Sequence, residues 1–295
     1  MGKKFITIGT FDGVHLGHKF IFDTLKKLAA KNNLEPLILT FDFAPKLLKN
    51  NDTKNKVLTL PSEKLALIKQ ENCEVKKLDF EKIKNLTCQE FFDILIKDYK
   101  MGGILTGEDF AFGKDRLGKK DFLSKACAEN NIIYSCQNFV NNKEGHKISS
   151  SLIRKFLEQG EVSLAAKMLG HFYTLEGLIV KGQQLGRQMG FATANLKIDT
   201  CKILPKGVFA VKVFLENKEY KGVCNIGLRP TVEKNGAPLC EVHILDFNQD
   251  IYGKILKIAL VSKIRGEKKF DSLGELTQQI NRDTSSAIKI LTKIA

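Results

Sequence analysis

The sequence predicts two domains of different class: an α/β domain built on a parallel sheet, then a small antiparallel β domain that returns to a helix at its end. Three observations carry this. A strand, a glycine-rich loop, a helix and a second strand follow one another over residues 5–41, the order of a βαβ unit. After Gly170 the texture changes to short apolar runs punctuated by glycine, proline and asparagine. At 295 residues the chain also exceeds one average domain.

The elements follow in order. Phe5-Ile6-Thr7-Ile8 reads as a short buried strand, and residues 9–17 carry too much glycine for regular structure. From His18, the positions Ile21, Leu25, Leu28 and Ala29 fall at helical spacing, and residues 36–41 form the next strand. Helical patterns recur over residues 62–70 and 88–99. Residues 103–107 form a strand running into a loop, residues 132–136 end the sheet, and helices over 150–157 and 162–169 close this half. Beyond Gly170, β-like runs at 173–180, 207–215, 222–226, 239–245 and 255–261 suggest a small antiparallel barrel or sandwich. Leu276, Ile280, Ile288 and Leu291 restore helical spacing. The expected domains are residues 1–172 and 173–295.

Composition narrows the class. No apolar run approaches the roughly 20 residues that span a bilayer, and the first residues move directly into a strand without a leader pattern. Seven cysteines form no C-x-x-C pair, and their odd number argues against a disulfide framework, so they read as small hydrophobes in a reducing compartment. A cytoplasmic protein without a membrane partner is expected. The net charge of +14 raises nucleic acid as a partner, but only six of 47 cationic residues are arginine, and they form no cluster. A solvated lysine surface is the expectation, one that helps recruit anionic nucleotides.

Three segments of the first half carry chemistry. Gly9-Thr10-Phe11-Asp12-Gly13-Val14-His15-Leu16-Gly17-His18 sits between a strand and a helix, where backbone N–H groups and the helix dipole suit a triphosphate. Two imidazoles there can stabilise charge on departing pyrophosphate, and the glycines let the backbone approach a nucleotide. Residues 107–118 combine Asp109, Phe110, Phe112 and Arg116 around glycines, the mixture of a ring-binding loop with polar anchors. Ser149, Ser150 and Ser151 open a helix with Arg154 in its first turn or so, a pattern that holds a phosphate or simply caps the helix.

In this order and spacing the three segments resemble the adenylyltransferase domain of bacterial bifunctional riboflavin kinase/FAD synthetases. The resemblance implies a Rossmann-like nucleotidyltransferase domain that transfers AMP from ATP to FMN. It assigns Gly9, Phe11, Asp12, Gly17, Ser150, Ser151 and Arg154 to ATP, His15 and His18 to its phosphates, and Asp109, Phe110 and Phe112 to the flavin pocket. Ala44 departs from the family pattern, which has histidine there.

The second half holds Gly182-Gln183-Gln184-Leu185-Gly186-Arg187-Gln188-Met189-Gly190-Phe191-Ala192-Thr193-Ala194-Asn195. Glycines spaced by four free a loop for phosphates. Arg187 can pair with them, and Thr193 and Asn195 offer neutral oxygens for a nucleotide-bound Mg²⁺. In the run 239–245, alternation puts Glu241 and His243 on one face, where a glutamate can accept a proton from an attacking hydroxyl. With Asn225-Ile226-Gly227, Ile251-Tyr252-Gly253-Lys254 and Ile264-Arg265-Gly266 through Phe270, these segments resemble the family's riboflavin kinase domain. That implies a β-barrel capped by a helix, ATP held by Gly182, Gly186, Arg187 and Gly190, and Mg²⁺ by Thr193 and Asn195. Glu241 becomes the base, and Arg265 and Phe270 join the flavin site. Ala192 replaces the family's proline, which is expected to loosen the Mg·ATP site.

The function expected is therefore two-step: riboflavin to FMN, then FMN to FAD, with ATP as co-substrate in both. A chain that keeps one activity, or a cytidylyltransferase-like enzyme, are the alternatives. The oligomeric state is not legible.

Overall fold

The computed structural model describes residues 2–43, 56–138, 145, 147–182, 191–228 and 238–294. The chain divides into two compact units, Met1–Ser150 and Ser151–Ala295.

In the first unit, β1 (Lys4–Gly9), β2 (Glu35–Thr40), β3 (Glu74–Lys77), β4 (Met101–Gly107) and β5 (Ile133–Gln137) form one sheet in the order β3-β2-β1-β4-β5. Every pairing is parallel. Helices cover both faces, which is why β1 and β2 are apolar on both sides. Phe5 and Ile38 pack on α1 (Leu16–Lys31) and α2 (Pro61–Lys69) through Phe22, Leu25, Ala29 and Ile68. After the short α3 (Phe80–Ile83), α4 (Cys88–Lys97) and α5 (Lys120–Glu129) supply Phe91, Phe92, Leu95 and Leu123 to the opposite face with Ile6, Ile8 and Ile104. Thr87 caps α4 by exchanging bonds with Glu90. Edge strand β3 and helix α5 escaped the sequence reading. The strand is short and polar, with Glu74, Lys76 and Lys77 giving no apolar signal.

In the second unit, α6 (Ser150–Glu158) and α7 (Val162–Leu169) precede six strands: β6 (Tyr173–Val180), β7 (Thr193–Ile198), β8 (Gly207–Leu215), β9 (Lys218–Leu228), β10 (Pro238–Ile244) and β11 (Ile255–Arg265). They close into an antiparallel barrel, β10-β7-β6-β11-β8-β9, which settles barrel over sandwich. α8 (Leu273–Thr292) lies on β8, β9 and β11, with Ala287 and Leu291 packed against Ala210 and Val261. Because α7 packs on β11 and β6, the compact division falls ahead of the boundary at 172/173 read from sequence.

Candidate active sites

In the first unit the strand order reverses direction between β1 and β4, and a crevice opens at the carboxyl ends of strands at such a point. The loop from β1 to α1 emerges there. The buried carboxylate of Asp12 gives the loop its shape, accepting from the Leu58 N–H (3.1 Å), the Thr59 N–H (3.0 Å) and the Thr59 hydroxyl (3.1 Å). That hydroxyl accepts from the Gly13 N–H (3.0 Å), and the Ser150 hydroxyl donates to the Asp12 carbonyl (2.9 Å). Asp12 thus points into its own scaffold, and Ser150 reaches the loop's backbone. Phe11 and Val14 hold φ of 46° and 40°, a conformation costly above all for β-branched valine. At Gly9 a Cβ would lie 2.7 Å from the Phe11 ring, so only glycine lets the ring fold back.

His15 caps α1. Its Nδ1 accepts from the His18 N–H (3.3 Å), which puts the proton of the neutral ring on Nε2. The two imidazoles stack at 3.5 Å, and Phe11 meets His18 edge-on at 5.2 Å. A Cβ at Gly17 would come within 3.2 Å of the His15 ring. Nδ1 of His18 is closed to solvent and has no hydrogen-bond partner among the described residues. Burial, then the neighbouring His15 and the Lys64 ammonium, hold the His18 pKa well below the usual imidazole range.

Beside this pair lies a cavity of about 790 Å³, bounded by Gly9, Thr10 and His18 on one side and by Phe41, Phe80, Phe91 and Phe110 on another. Ile8 and Gly107 place it at the ends of β1 and β4. Phe112 lines it while packing into the core against Phe91 (5.4 Å) and Phe122 (5.9 Å). Its backbone exchanges two hydrogen bonds with Gly118, and Gly113 (φ 72°) turns the chain where a Cβ would strike the Cys88 nitrogen at 2.7 Å. Asp109 stands exposed at the rim, 3.8 Å from the Lys147 ammonium, and Arg116 donates to the Asp109 carbonyl (3.5 Å). Ser151 is exposed, and Arg154 is half-buried on α6 in the second unit. Ala44 lies outside the described residues.

Lys64 is a residue that sequence reasoning missed. It is buried, and its ammonium donates to the carbonyls of Thr10 (3.0 Å), Phe41 and Asp42 (3.1 Å). The signal was available: Lys64 stands one helical turn before Ile68, on the core-facing stripe of α2.

The second unit brings its predicted residues together on one barrel face. In register, Glu241 of β10 opposes Asn195 of β7 and Asn225 of β9, while His243 opposes Thr193. These side chains share a face, with Val242, Ala194 and Cys224 buried on the other. Asn195 is 6% exposed, and its Oδ1 has no hydrogen-bond partner among the described residues. Gly182 lies against it so closely that a Cβ would sit 2.3 Å from the amide nitrogen. His243 donates through Nδ1 to the Ala192 carbonyl (2.9 Å), and Phe191 meets its ring at 5.6 Å. A smaller cavity of about 210 Å³ opens beside Thr193, Phe247 and Tyr252. Arg265 is engaged elsewhere than a pocket: it pairs with buried Asp283 of α8 (3.0 and 2.9 Å) and lies 5.6 Å over Phe270. Gly186, Arg187 and Gly190 lie outside the described residues.

Comparison with known proteins then decides the family. Residues 1–152 match the FAD synthetase family and residues 169–291 the riboflavin kinase family. The chain is 34% identical to the bifunctional riboflavin kinase/FMN adenylyltransferase of Bacillus subtilis, over 99% of this chain and 94% of that one. It is 38% identical to the protein of that name from Escherichia coli K12, over 96% and 91%. The chain belongs to the bifunctional riboflavin kinase/FMN adenylyltransferase family.

The family's two halves coincide with the α/β sheet and the barrel. A crystal structure named as a macrolide-efflux protein from Streptococcus pneumoniae superposes with a TM-score of 0.86 at 31% identity, covering 97% of this chain and 94% of that one. Efflux belongs to that protein's name. Among the described residues here, no helix is long and apolar enough to cross a membrane.

Proposed function

We propose that the cavity of the first unit joins FMN to the AMP of ATP and that the outer face of β7 and β10 phosphorylates riboflavin. The family supports both activities, with ATP as co-substrate and riboflavin, FMN and FAD as substrates and products. In the first reaction an FMN phosphate oxygen attacks the α-phosphorus, the bond from that phosphorus to the α,β-bridging oxygen breaks, and pyrophosphate leaves. The loop of Gly9, Phe11 and Gly17 and the start of α1 receive the phosphates. The Nε2–H of His15, its tautomer fixed by the His18 N–H, donates to charge that grows on them. Phe110 and Phe112 form the apolar wall for the flavin, and Asp109 stands at its rim; the family resemblance assigns Ser151 and Arg154 to ATP.

In the second reaction the 5′-hydroxyl of riboflavin attacks the γ-phosphorus of ATP, the bond from that phosphorus to the β,γ-bridging oxygen breaks, ADP leaves, and Glu241 takes the hydroxyl proton. Gly182 and the glycine loop with Arg187 receive this ATP, and Phe270 and Arg265 border the flavin. The buried Oδ1 of Asn195, unpartnered among the described residues and beside Thr193, fits a hard cation, and Mg²⁺ held there would neutralise phosphate charge. We place the functional boundary at residues 172/173 and the enzyme in the cytoplasm, without nucleic-acid or membrane partners.

The carrying observation is the register that sets Glu241 opposite Asn195. The test incubates the full chain with riboflavin and Mg·ATP and separates the flavins by chromatography. FMN and FAD are both expected. Glu241→Gln should lower FMN formation about 100- to 10,000-fold while supplied FMN is still converted to FAD. A variant that makes FMN at the wild-type rate removes Glu241 from the role of base.

A further inference from the structure

Lysine is rarely buried, because desolvating an ammonium is expensive unless every proton finds an acceptor. Lys64 meets that condition in one way only: its three donors go to three backbone carbonyls. Those carbonyls lie at functionally telling places. Thr10 directly follows β1 and begins the loop that leads to His15, while Phe41 and Asp42 directly follow β2. Thr10 and Phe41 also line the large cavity. Lys64 of α2 thus joins the exits of β1 and β2 with one side chain, beside the Thr40 hydroxyl, which donates to the same Thr10 carbonyl (3.4 Å).

We propose that Lys64 is a positioning residue for adenylyl transfer, acting through the carbonyls it gathers at the ends of β1 and β2. The inference rests on reading the His15–His18 loop as the phosphate site. Two effects follow from the geometry. The three bonds fix the start of the loop against the second strand, so the loss of donors should let Thr10 and the cavity wall shift. A misplacement of about 1 Å at a reacting centre costs on the order of 100-fold in rate. The charge acts separately. It stands under the loop near His18 and opposes protonation of that ring. His15 is the other titratable group whose field reaches His18. Lys64 itself faces Asp12, Asp42 and Lys77, and burial lowers its own pKa against the pull of the two aspartates. Across the cavity, Asp109, Asp115, Lys84 and Arg116 are the charged groups. None of them is altered by substituting Lys64.

The test uses the full chain with three substitutions. Lys64→Met removes donors and charge, Lys64→Gln keeps two donors without charge, and Lys64→Arg keeps both. FAD formation from FMN and Mg·ATP is followed from pH 5 to 9 (chosen to bracket the imidazole range, about 6.5), and FMN formation from riboflavin is followed alongside. In Lys64→Met, kcat/KM for FAD formation should fall about 100-fold, with FMN formation unchanged. In Lys64→Gln the loss should be smaller, but the acidic limb of the FAD profile should move to higher pH. In Lys64→Arg that limb should stay in place with most of the rate restored. If Lys64→Met fails to fold, the comparison of Lys64→Gln with Lys64→Arg decides. Wild-type rates in Lys64→Met would overturn the proposal. So would equal losses in all three variants with no movement of the limb, the mark of a merely structural residue. If the wild-type chain itself forms no FAD from FMN, the reading of the loop fails instead.

Discussion

Asp12 lies in the loop between β1 and α1, proposed to receive the nucleotide, yet its carboxylate faces the protein. The Oδ1 atom accepts from the Leu58 N–H, the Thr59 N–H and the Thr59 hydroxyl, and Oδ2 accepts from the Leu58 N–H again at 3.1 Å. Asp12→Ala would strand three donors in a site where the carboxylate is 6% exposed. At about 1–3 kcal/mol for each unsatisfied group, with water recovering part, the cost should be about 3 kcal/mol. Asp12→Asn is the informative partner. Its carbonyl oxygen can keep the three bonds of Oδ1, but its NH₂ then faces the Leu58 N–H, so a cost of about 1 kcal/mol is expected. Urea unfolding followed by amide exchange at Leu58 and Thr59 reads the first unit directly, and FAD formation reads the loop. Both variants should lose exchange protection in the order Ala, then Asn. Retained protection and stability, together with a raised KM for ATP, would refute the scaffold role and return Asp12 to direct contact with the nucleotide.

Two further predictions follow from the same geometry. Gly182→Ala places a methyl where only 2.3 Å separates it from the Asn195 amide, so KM for Mg·ATP in FMN formation should rise at least tenfold, about 1.4 kcal/mol, while FAD formation from FMN is kept; steady-state kinetics of both reactions checks this. His18, with a folded pKa below its unfolded value near 6.5, binds its proton more readily when unfolded. Its contribution to stability is therefore complete above about pH 6.5 and is lost as pH falls through that value toward the folded pKa, by at most about 1.4 kcal/mol per pH unit; His18→Asn should flatten that part of the urea-midpoint profile.

Legibility in the sequence followed physical cause. Apolar periodicity revealed β1, β2, β4 and α1, because buried elements must present apolar faces. It did not reveal β3, whose exposed edge carries charge, nor β7, whose Thr193 and Asn195 were read as part of a phosphate loop. That second omission hid the register that sets Asn195 opposite Glu241. Residue types marked the histidines but not their partners: only the coordinates show that His15 caps the helix with Nδ1 and stacks on His18. The arginines were read as site residues because lysine dominates elsewhere. Arg265 also closes α8 onto the barrel through buried Asp283, which accepts from Gln279 (2.9 Å), a contact that residue type alone does not reveal. Lys64 was passed over because a lysine in a lysine-rich chain carries no signal unless its place on the helical stripe is weighed.

The contrast between Asp12 and Glu241 bears on how one chain handles ATP twice. A carboxylate beside a triphosphate is repulsive unless it is neutralised, turned away or needed as a base. In the first unit Asp12 is turned away and satisfied by three donors, and the loop presents its backbone and the His18 ring to the cavity. In the second unit Glu241 keeps a half-buried place on the face it shares with Asn195, where a proton must be removed from a neutral hydroxyl. The two reactions explain the difference. The nucleophile in adenylyl transfer is a phosphate that is already ionised, so no base is required and cationic or donor groups suffice. The nucleophile in the kinase step is an alcohol, and it needs a carboxylate within reach. With Glu241 as the proposed base, the orientation of one acid in each unit separates the two chemistries.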